Sequence, residues 1–384
     1  MSEAADELAA WLRLLLLPRV SRADARRLLG AYGSAAAVFE GSPATWRALL
    51  GRDATAAVAA EPPAWRDLVE QTRRWQQAGA DRRVVTLADQ GYPQALLNTA
   101  DPPLLLYAQG RVELLNRPAL AIVGSRSPTA QGADNARAFA RDLAKHGLVI
   151  VSGMAAGIDA AAHEGALHAG GDTIAVYGTG IDIVYPSDNR GLAQRIASSG
   201  LLISEFPLGT PGLAGYFLQR NRVIAGLCRG TLVIEAAVRS GSLSTARQAA
   251  ECGREVMAVP GSIHSPQSRG CHALIRQGAK LIETSADVLD ELRLGPPPAP
   301  PRPRRPPKPM PGAGAEEQTD SDTEPGPPVD PVLQAMGHDP VTLDALLART
   351  GQDAAMLQTR LLELELAGQV ARLPGALFQR RGSA

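Results

Sequence analysis

Glycines, hydroxyls and arginines that follow short apolar runs are the residues of this 384-residue chain whose types and spacing point to chemistry. Val123 leads into Gly124-Ser125-Arg126, and Val151 into Ser152-Gly153 with Gly157-Ile158-Asp159 just beyond. Tyr177 leads into Gly178-Thr179-Gly180, and Ile203 into Ser204-Glu205-Phe206. Later come Ser240-Gly241-Ser242 and then Pro260-Gly261-Ser262, with Ser268-Arg269-Gly270 close behind. Glycine lets backbone amides approach a ligand, while hydroxyls and helix N-termini add donors. One such loop is weak evidence. Five or more on one edge of a sheet predict an extended anion-binding surface. Arg220-Asn221-Arg222, read as the start of a helix, adds two guanidiniums suited to bidentate phosphate contacts.

The anion is not expected to be a dinucleotide. Gly-x-Gly-x-x-Gly is missing after Val123, and the second strand ends in Ser152 rather than the Asp or Glu that would hold an adenosine ribose. A P-loop lysine is missing as well. No cofactor is therefore expected. Asp159 and His163 stand one helical turn apart near Ser152, a spacing that suits capping and packing better than a hydrolytic triad.

The elements that must position these loops follow from hydrophobic patterning. Apolar, mostly β-branched runs occur at 119–123, 148–151, 173–177, 201–203, 231–234, 255–259 and 280–282, separated by stretches of helical spacing such as Ala133, Ala136, Ala140 and Leu143. Short runs without alternation are buried on both faces, so the pattern predicts an α/β fold with a doubly wound parallel sheet. In such a sheet the ligand lies beyond the C-terminal strand ends, where the glycine loops fall.

Four segments are expected. Residues 1–80 read as short helices, with Ser21 as an N-cap and Gly30 as a helix end. They suggest either a SAM-like or helix-hairpin-helix module touching a DNA backbone, or a packing module, with Pro18-Arg19-Val20 in place of a glycine-rich hairpin. Residues 81–294 hold the sheet; Leu104–Tyr107 reads as the apolar end of a connecting segment. Residues 295–328 carry thirteen prolines, with a basic and then an acidic cluster, and read as a semi-extended linker. Residues 329–384 read as three helices and a β-wing, a winged helix whose acidic Asp353, Glu363 and Glu365 favour protein contact or regulation over groove reading.

Composition sets outer limits. Net charge is zero, which argues against a globally basic nucleic-acid coat but not against a local patch. No apolar run approaches membrane-helix length, and the early apolar patch follows acidic residues rather than a basic stretch, so no membrane association or secretory signal is expected. Three dispersed cysteines fit neither a disulfide framework nor a zinc site, which predicts a cytoplasmic protein with reduced thiols.

Together these segments resemble the DprA/Smf family of bacterial DNA-processing proteins. The resemblance covers about Tyr92 to Leu292 and extends loosely to both termini. It rests on Val123-Gly124-Ser125-Arg126, Ser152 to Asp159 with His163, Ser204-Glu205-Phe206-Pro207, Arg220-Asn221-Arg222-Val223-Ile224, Glu235 through Ser242, Pro260-Gly261 and Leu274 to Ala279. It implies an extended Rossmann-like core, flanked by the N-terminal helical and C-terminal winged-helix domains, that binds single-stranded DNA and forms a homodimer. It also implies loading of the RecA recombinase onto DNA during natural transformation, without catalysis. Gly124, Ser125, Arg126, Ser152, Gly153, Gly157, Gly180, Arg220, Asn221, Arg222, Ser240, Gly241, Ser242 and Arg269 are the expected DNA-phosphate contacts, with Arg126 matching the arginine of the family's basic pocket. Ala156 stands where many members carry arginine, His272 replaces a common asparagine, and Leu218 a common proline.

Two other readings stay open. Related Rossmann-like folds hydrolyse nucleoside monophosphates, with a glycine-hydroxyl turn like Ser240–Thr245, although the glutamate of their Pro-Gly-Gly-x-Gly-Thr-x-x-Glu motif has no equivalent here. A protein adaptor without direct DNA binding is the other.

Overall fold

Strands form where consecutive apolar residues can be covered from both sides. The computed structural model describes residues 3–263, 265–294, 330–336 and 340–381. These residues group into two units, one formed by the chain up to Leu294 apart from Thr129–Gln131, the other by the C-terminal segment.

Six helices open the chain: α1 (Glu3–Leu15), α2 (Arg22–Tyr32), α3 (Ala35–Glu40), α4 (Pro43–Leu50), α5 (Arg52–Ala59) and α6 (Trp65–Gln77). Ser21 caps α2 in a reciprocal box with Asp24, which satisfies two amides that a helix start otherwise leaves open. The helix does not end at Gly30 as expected. It runs on to Tyr32, and Gly33 closes it in the left-handed conformation, φ 82°.

Next come β1 (Arg82–Thr86), α7 (Gln94–Leu97), β2 (Leu105–Gly110) and β3 (Ala119–Val123). Then α8 (Ala130–Lys145), β4 (Val149–Ser152), α9 (Ile158–His168), β5 (Thr173–Tyr177), α10 (Arg190–Ser199) and β6 (Leu201–Ser204) alternate. The alternation continues through α11 (Ala214–Leu227), β7 (Gly230–Val233), α12 (Ser242–Glu251), β8 (Glu255–Ala258), α13 (Arg269–Arg276), β9 (Lys280–Leu281) and α14 (Ser285–Glu291).

All nine strands form one sheet in the order β1-β2-β6-β5-β4-β3-β7-β8-β9. From β6 to β9 every pairing is parallel, with Ala121 opposite Val151 on one side and Thr231 on the other. The parallel core is as expected; the edge is not. Leu104–Tyr107 is no connecting segment, because Leu105 to Gly110 pairs antiparallel with both β1 and β6 and Leu105 to Ala108 are buried. The sheet is therefore mixed. Winding reverses between β3 and β7, the place where open α/β sheets leave a crevice.

Both faces of the sheet are covered. Leu120 and Ile122 point into a core shared with α8 and α9, whereas Ala121 and Val123 face a second core with Val223 and Ile224 of α11. A third core joins Trp11, Leu12 and Leu28 of the N-terminal helices to Tyr107, Ala175, Tyr177 and Ile196. The opening helices thus share a hydrophobic interior with the sheet.

The C-terminal unit contains α15 (Pro331–Met336), β10 (Val341–Thr342), α16 (Leu343–Thr350), α17 (Ala354–Leu366), β11 (Val370–Leu373) and β12 (Leu377–Arg380), with the strands in the order β10-β12-β11. Thr342 caps α16, and Leu346, Leu357, Leu361, Val370 and Phe378 share a small core. This is the expected winged helix. The expected linker, residues 295–328, lies outside the described residues.

Candidate nucleic-acid interface

A cleft of about 720 Å³ opens at the switch between β3 and β7. One wall is the turn after β3. A methyl on Gly124 would sit 2.7 Å from Ile158 Cγ1 and 2.8 Å from the Glu235 carbonyl, so only glycine fits. Ser125 is buried, its carbonyl accepts from Ile158 N at 3.0 Å, and its Oγ accepts from Ser127 N at 3.2 Å. The next side chain, Arg126, turns outward. It is exposed, and its guanidinium lies 5.7 Å over the Phe217 ring.

The opposite wall is the start of α12. Ser240 and Ser242 share a hydroxyl contact of 2.7 Å, Ser240 Oγ accepts from Ser242 N at 3.3 Å, and Asn221 Nδ2 donates to Gly241 O at 3.3 Å. The N-terminus of this ten-residue helix carries positive dipole charge toward the cleft. Arg239 and Gln267 complete this side, with Gln267 Nε2 donating to Ser127 O at 3.4 Å. Tyr185, Phe217 and Leu218 supply apolar surface at the mouth, the two rings 5.2 Å apart.

Arg220 lies beneath the cleft rather than in the open. It sits in the middle of α11, not at its start, and is 3% exposed. Its Nη1 donates to the carbonyls of Gly153 and Val176 at the ends of β4 and β5. Burial, partly offset by Asp159, lowers its pKa to about 10, so it stays charged at neutral pH. Asp159 accepts from Gly153 N at 3.1 Å and Ala155 N at 3.4 Å, and burial pushes its carboxyl upward against the pull of Arg220. The β4 loop is therefore held by a buried guanidinium and a buried carboxylate. Gly157 belongs to the same clamp: its φ is 81°, and a methyl there would meet Ser125 O at 2.4 Å.

The remaining expected contacts are placed elsewhere. Ser152 is fully buried and donates to Ile122 O at 2.7 Å. Gly153 packs under Arg220. Gly180 is buried beside Pro207 and Gly209 and donates to Thr210 O at 2.9 Å. Arg269 is exposed at the start of α13, outside the cleft lining. Arg222 faces the N-terminal helices, where it donates to Glu205 and to the Asp101 carbonyl. Thus Gly124, Ser125, Arg126, Asn221, Ser240, Gly241 and Ser242 line the cleft together, with Arg220 as its base. Arg239 and Gln267 were not anticipated. Arg239 could have been found, since it directly precedes the Ser240 turn. Gln267 is brought in only by the fold, through Ala236 N donating to its carbonyl at 2.7 Å.

Ser152, Asp159 and His163 do not present a nucleophile to the cleft. The Ser152 proton is directed at Ile122 O, and His163 is fully buried with Nδ1 on Thr173. Among the described residues no group of His, Cys, Asp or Glu is arranged to hold a metal, and no helix is long and apolar enough to cross a membrane.

A doubly wound sheet with arginine, hydroxyls and a helix N-terminus at its switch point defines a Rossmann-like core with a candidate anion site. Comparison with known proteins gives its family. The model for DNA recombination-mediator protein A matches residues 83–293, more than half of the chain, and that for the DprA winged helix domain matches residues 315–376. The chain belongs to the DNA recombination-mediator protein A family, also called DprA or Smf. Protein Smf of Escherichia coli K12 is 40% identical over 291 residues, covering 76% of this chain and 75% of the relative. DNA processing protein DprA of Streptococcus pneumoniae is 48% identical over 206 residues, 54% of this chain and 73% of its own length.

Solved structures agree with the architecture. The X-ray structure of DprA from Streptococcus pneumoniae superposes with a TM-score of 0.64 at 36% identity, over 76% of this chain and 99% of that one. DNA processing protein A of Helicobacter pylori, whose structure concerns its single-stranded DNA binding mode, gives a TM-score of 0.50 at 34% identity, over 55% of this chain and 96% of that one.

Proposed function

We propose that the switch-point cleft binds the sugar-phosphate backbone of single-stranded DNA, and that the chain, as a cytoplasmic homodimer, protects the strand and loads RecA onto it during transformation or recombination. One observation carries the binding step: among the described residues neither Arg126 nor Arg239 has an ion-pair partner, although both border the cleft. Arginines left open beside backbone amides and serine hydroxyls suit phosphate oxygens and confer little sequence preference. The Phe217 ring under Arg126 offers a face on which a base can stack. The structure of the Helicobacter pylori relative supports the choice of a single strand. Loading of RecA and dimerisation rest on the family alone.

The test is a salt titration of the full chain against single- and double-stranded oligonucleotides. The expected result is tighter binding to single strands, with affinity falling linearly in log salt. Binding to neither form overturns the reading and favours an adaptor, whereas equal binding to both overturns the choice of a single strand. Release of free base from nucleoside monophosphates would instead indicate the hydrolase.

A further inference from the structure

The cleft has a neighbour on the other side of α11. A second cavity of about 640 Å³ lies between the N-terminal helices and the sheet, bordered by Ser21, Arg22 and Arg26 on one side and by Glu205, Tyr216 and Gln219 on the other. Consecutive residues of α11 face the two cavities: Phe217 and Leu218 line the first, Tyr216 and Gln219 the second. The first turn of α11 is thus a ridge between them, with an aromatic pair on each flank. Tyr185 pairs with Phe217 at 5.2 Å, and Phe206 with Tyr216 at 4.8 Å.

We propose that a single strand seated in the first cleft crosses this ridge and places a further nucleotide in the second cavity, with its phosphate at the α1–α2 hairpin. The inference rests on the proposed binding of single strands. Arg19 takes the left-handed conformation, φ 62°, in the turn that leads into the eleven-residue helix α2. Residues 21–23 border the cavity; the Ser21–Asp24 cap takes the amides of those two residues and leaves those of Arg22 and Ala23 at that helix start.

Charge favours an anion there. Arg22, Arg26 and Arg222 face Asp101 and Glu205, three guanidiniums against two carboxylates. Arg26 donates to Ala100 O at 2.8 Å and to Asp101 Oδ1 at 3.3 Å, which uses part of its five N–H groups.

A second observation points to a ligand rather than to a structural ion pair alone. Glu205 is 7% exposed, yet its Oε1 has no hydrogen-bond partner while Oε2 takes Arg22 and Arg222. A buried acceptor left unsatisfied at the border of the cavity suits a donor brought by a ligand, such as the amino group of a base.

The experiment measures affinity of the full chain for oligodeoxycytidylates, whose bases carry an amino group, of roughly 4 to roughly 16 nucleotides, the range over which single-strand sites fill. Arg126→Ala should weaken binding at every length. Arg26→Ala should leave the shortest binding oligonucleotide unaffected, weaken the longer ones, and lower their slope in log salt by about 0.7. Gln219→Glu, which adds charge at the cavity without removing a hydrogen bond of Arg26, should show the same length dependence and guards against misfolding of the first variant. Wild-type affinity of both Arg26→Ala and Gln219→Glu at all lengths, with Arg126→Ala impaired, overturns the second station and leaves the first cleft standing. No binding by wild type at any length overturns both.

Discussion

Arg220 lies so close against Gly153 that a methyl group on that glycine would stand 2.5 Å from Nη1. The guanidinium also holds the Val176 carbonyl and neighbours the buried Asp159. Removing it leaves two strand-end carbonyls and one carboxylate without compensation. Arg220→Ala should cost about 3–5 kcal/mol of stability, the usual penalty for stripping one partner from a buried charged pair. Urea unfolding checks this. A midpoint within error of wild type, with DNA affinity lost, would return Arg220 to the role of a direct phosphate contact.

Arg126 and Arg239 are exposed and unpaired among the described residues, so their replacement should touch binding and spare the fold. Each alanine variant is expected to lower the slope of log affinity against log salt by about 0.7, and the double variant by about 1.4. Unfolding midpoints should stay within about 0.5 kcal/mol of wild type. Fluorescence anisotropy at several salt concentrations reads the slopes directly.

Ala156 is exposed on the loop that Arg220 and Asp159 hold. Ala156→Arg places a guanidinium at a position where many family members carry one. Tighter binding to single strands and a slope steeper by about 0.7 are expected. Unchanged affinity would show that the strand passes this loop at a distance.

His163 makes the fold sensitive to mild acid. Thr173 gives its own proton to Ile150 O at 2.7 Å, so it must receive one from His163 Nδ1, also at 2.7 Å. Nε2 is then a bare, buried nitrogen without a partner. Burial, followed by the nearby Arg220 charge, lowers the imidazole pKa to about 3, against about 6.5 in an unfolded chain. The depressed folded pKa means the unfolded state takes up the proton first. The stability that neutral His163 contributes should fall from about pH 6.5 toward about 3, by up to about 1.4 kcal/mol per unit, while Asp159 and Glu205, whose carboxyls burial pushes upward, act in the opposite sense. His163→Asn, whose side-chain amide can still donate to Thr173, should flatten that limb when urea midpoints at pH 7 and pH 5 are compared.

Much of the core could be read from the chain because its signals are local. Two-sided apolar runs marked the parallel strands, and Gly124-Ser125-Arg126 was legible because a turn at a strand end needs a glycine just there. What escaped depends on distant partners. Leu105 to Gly110 is buried because β1 and β6 flank it, and β6 lies almost a hundred residues later. Arg220 and Arg222 look equivalent in the sequence, two positions apart. On a helix that spacing turns them about 200° from each other, so one meets the strand ends and the other meets Asp101 and Glu205. Phosphate-like composition thus identified the cleft but not which arginines open into it. The winged helix was legible from caps and periodicity within one short segment, Thr342 and Gly351 above all.

Helix α11 offers Phe217 to one cavity, Tyr216 to the other, Arg220 to the sheet below and Arg222 to the opening helices. These four duties are fixed by angle around a single axis. The helix therefore acts like a camshaft: adding or deleting one residue between Tyr216 and Arg222 would rotate the later lobes by about 100° against the earlier ones and put them out of phase together. Length variation in this family member is expected to be tolerated in the loops before Ala214 and after Leu227, while the seven positions from Tyr216 to Arg222 change identity but never number.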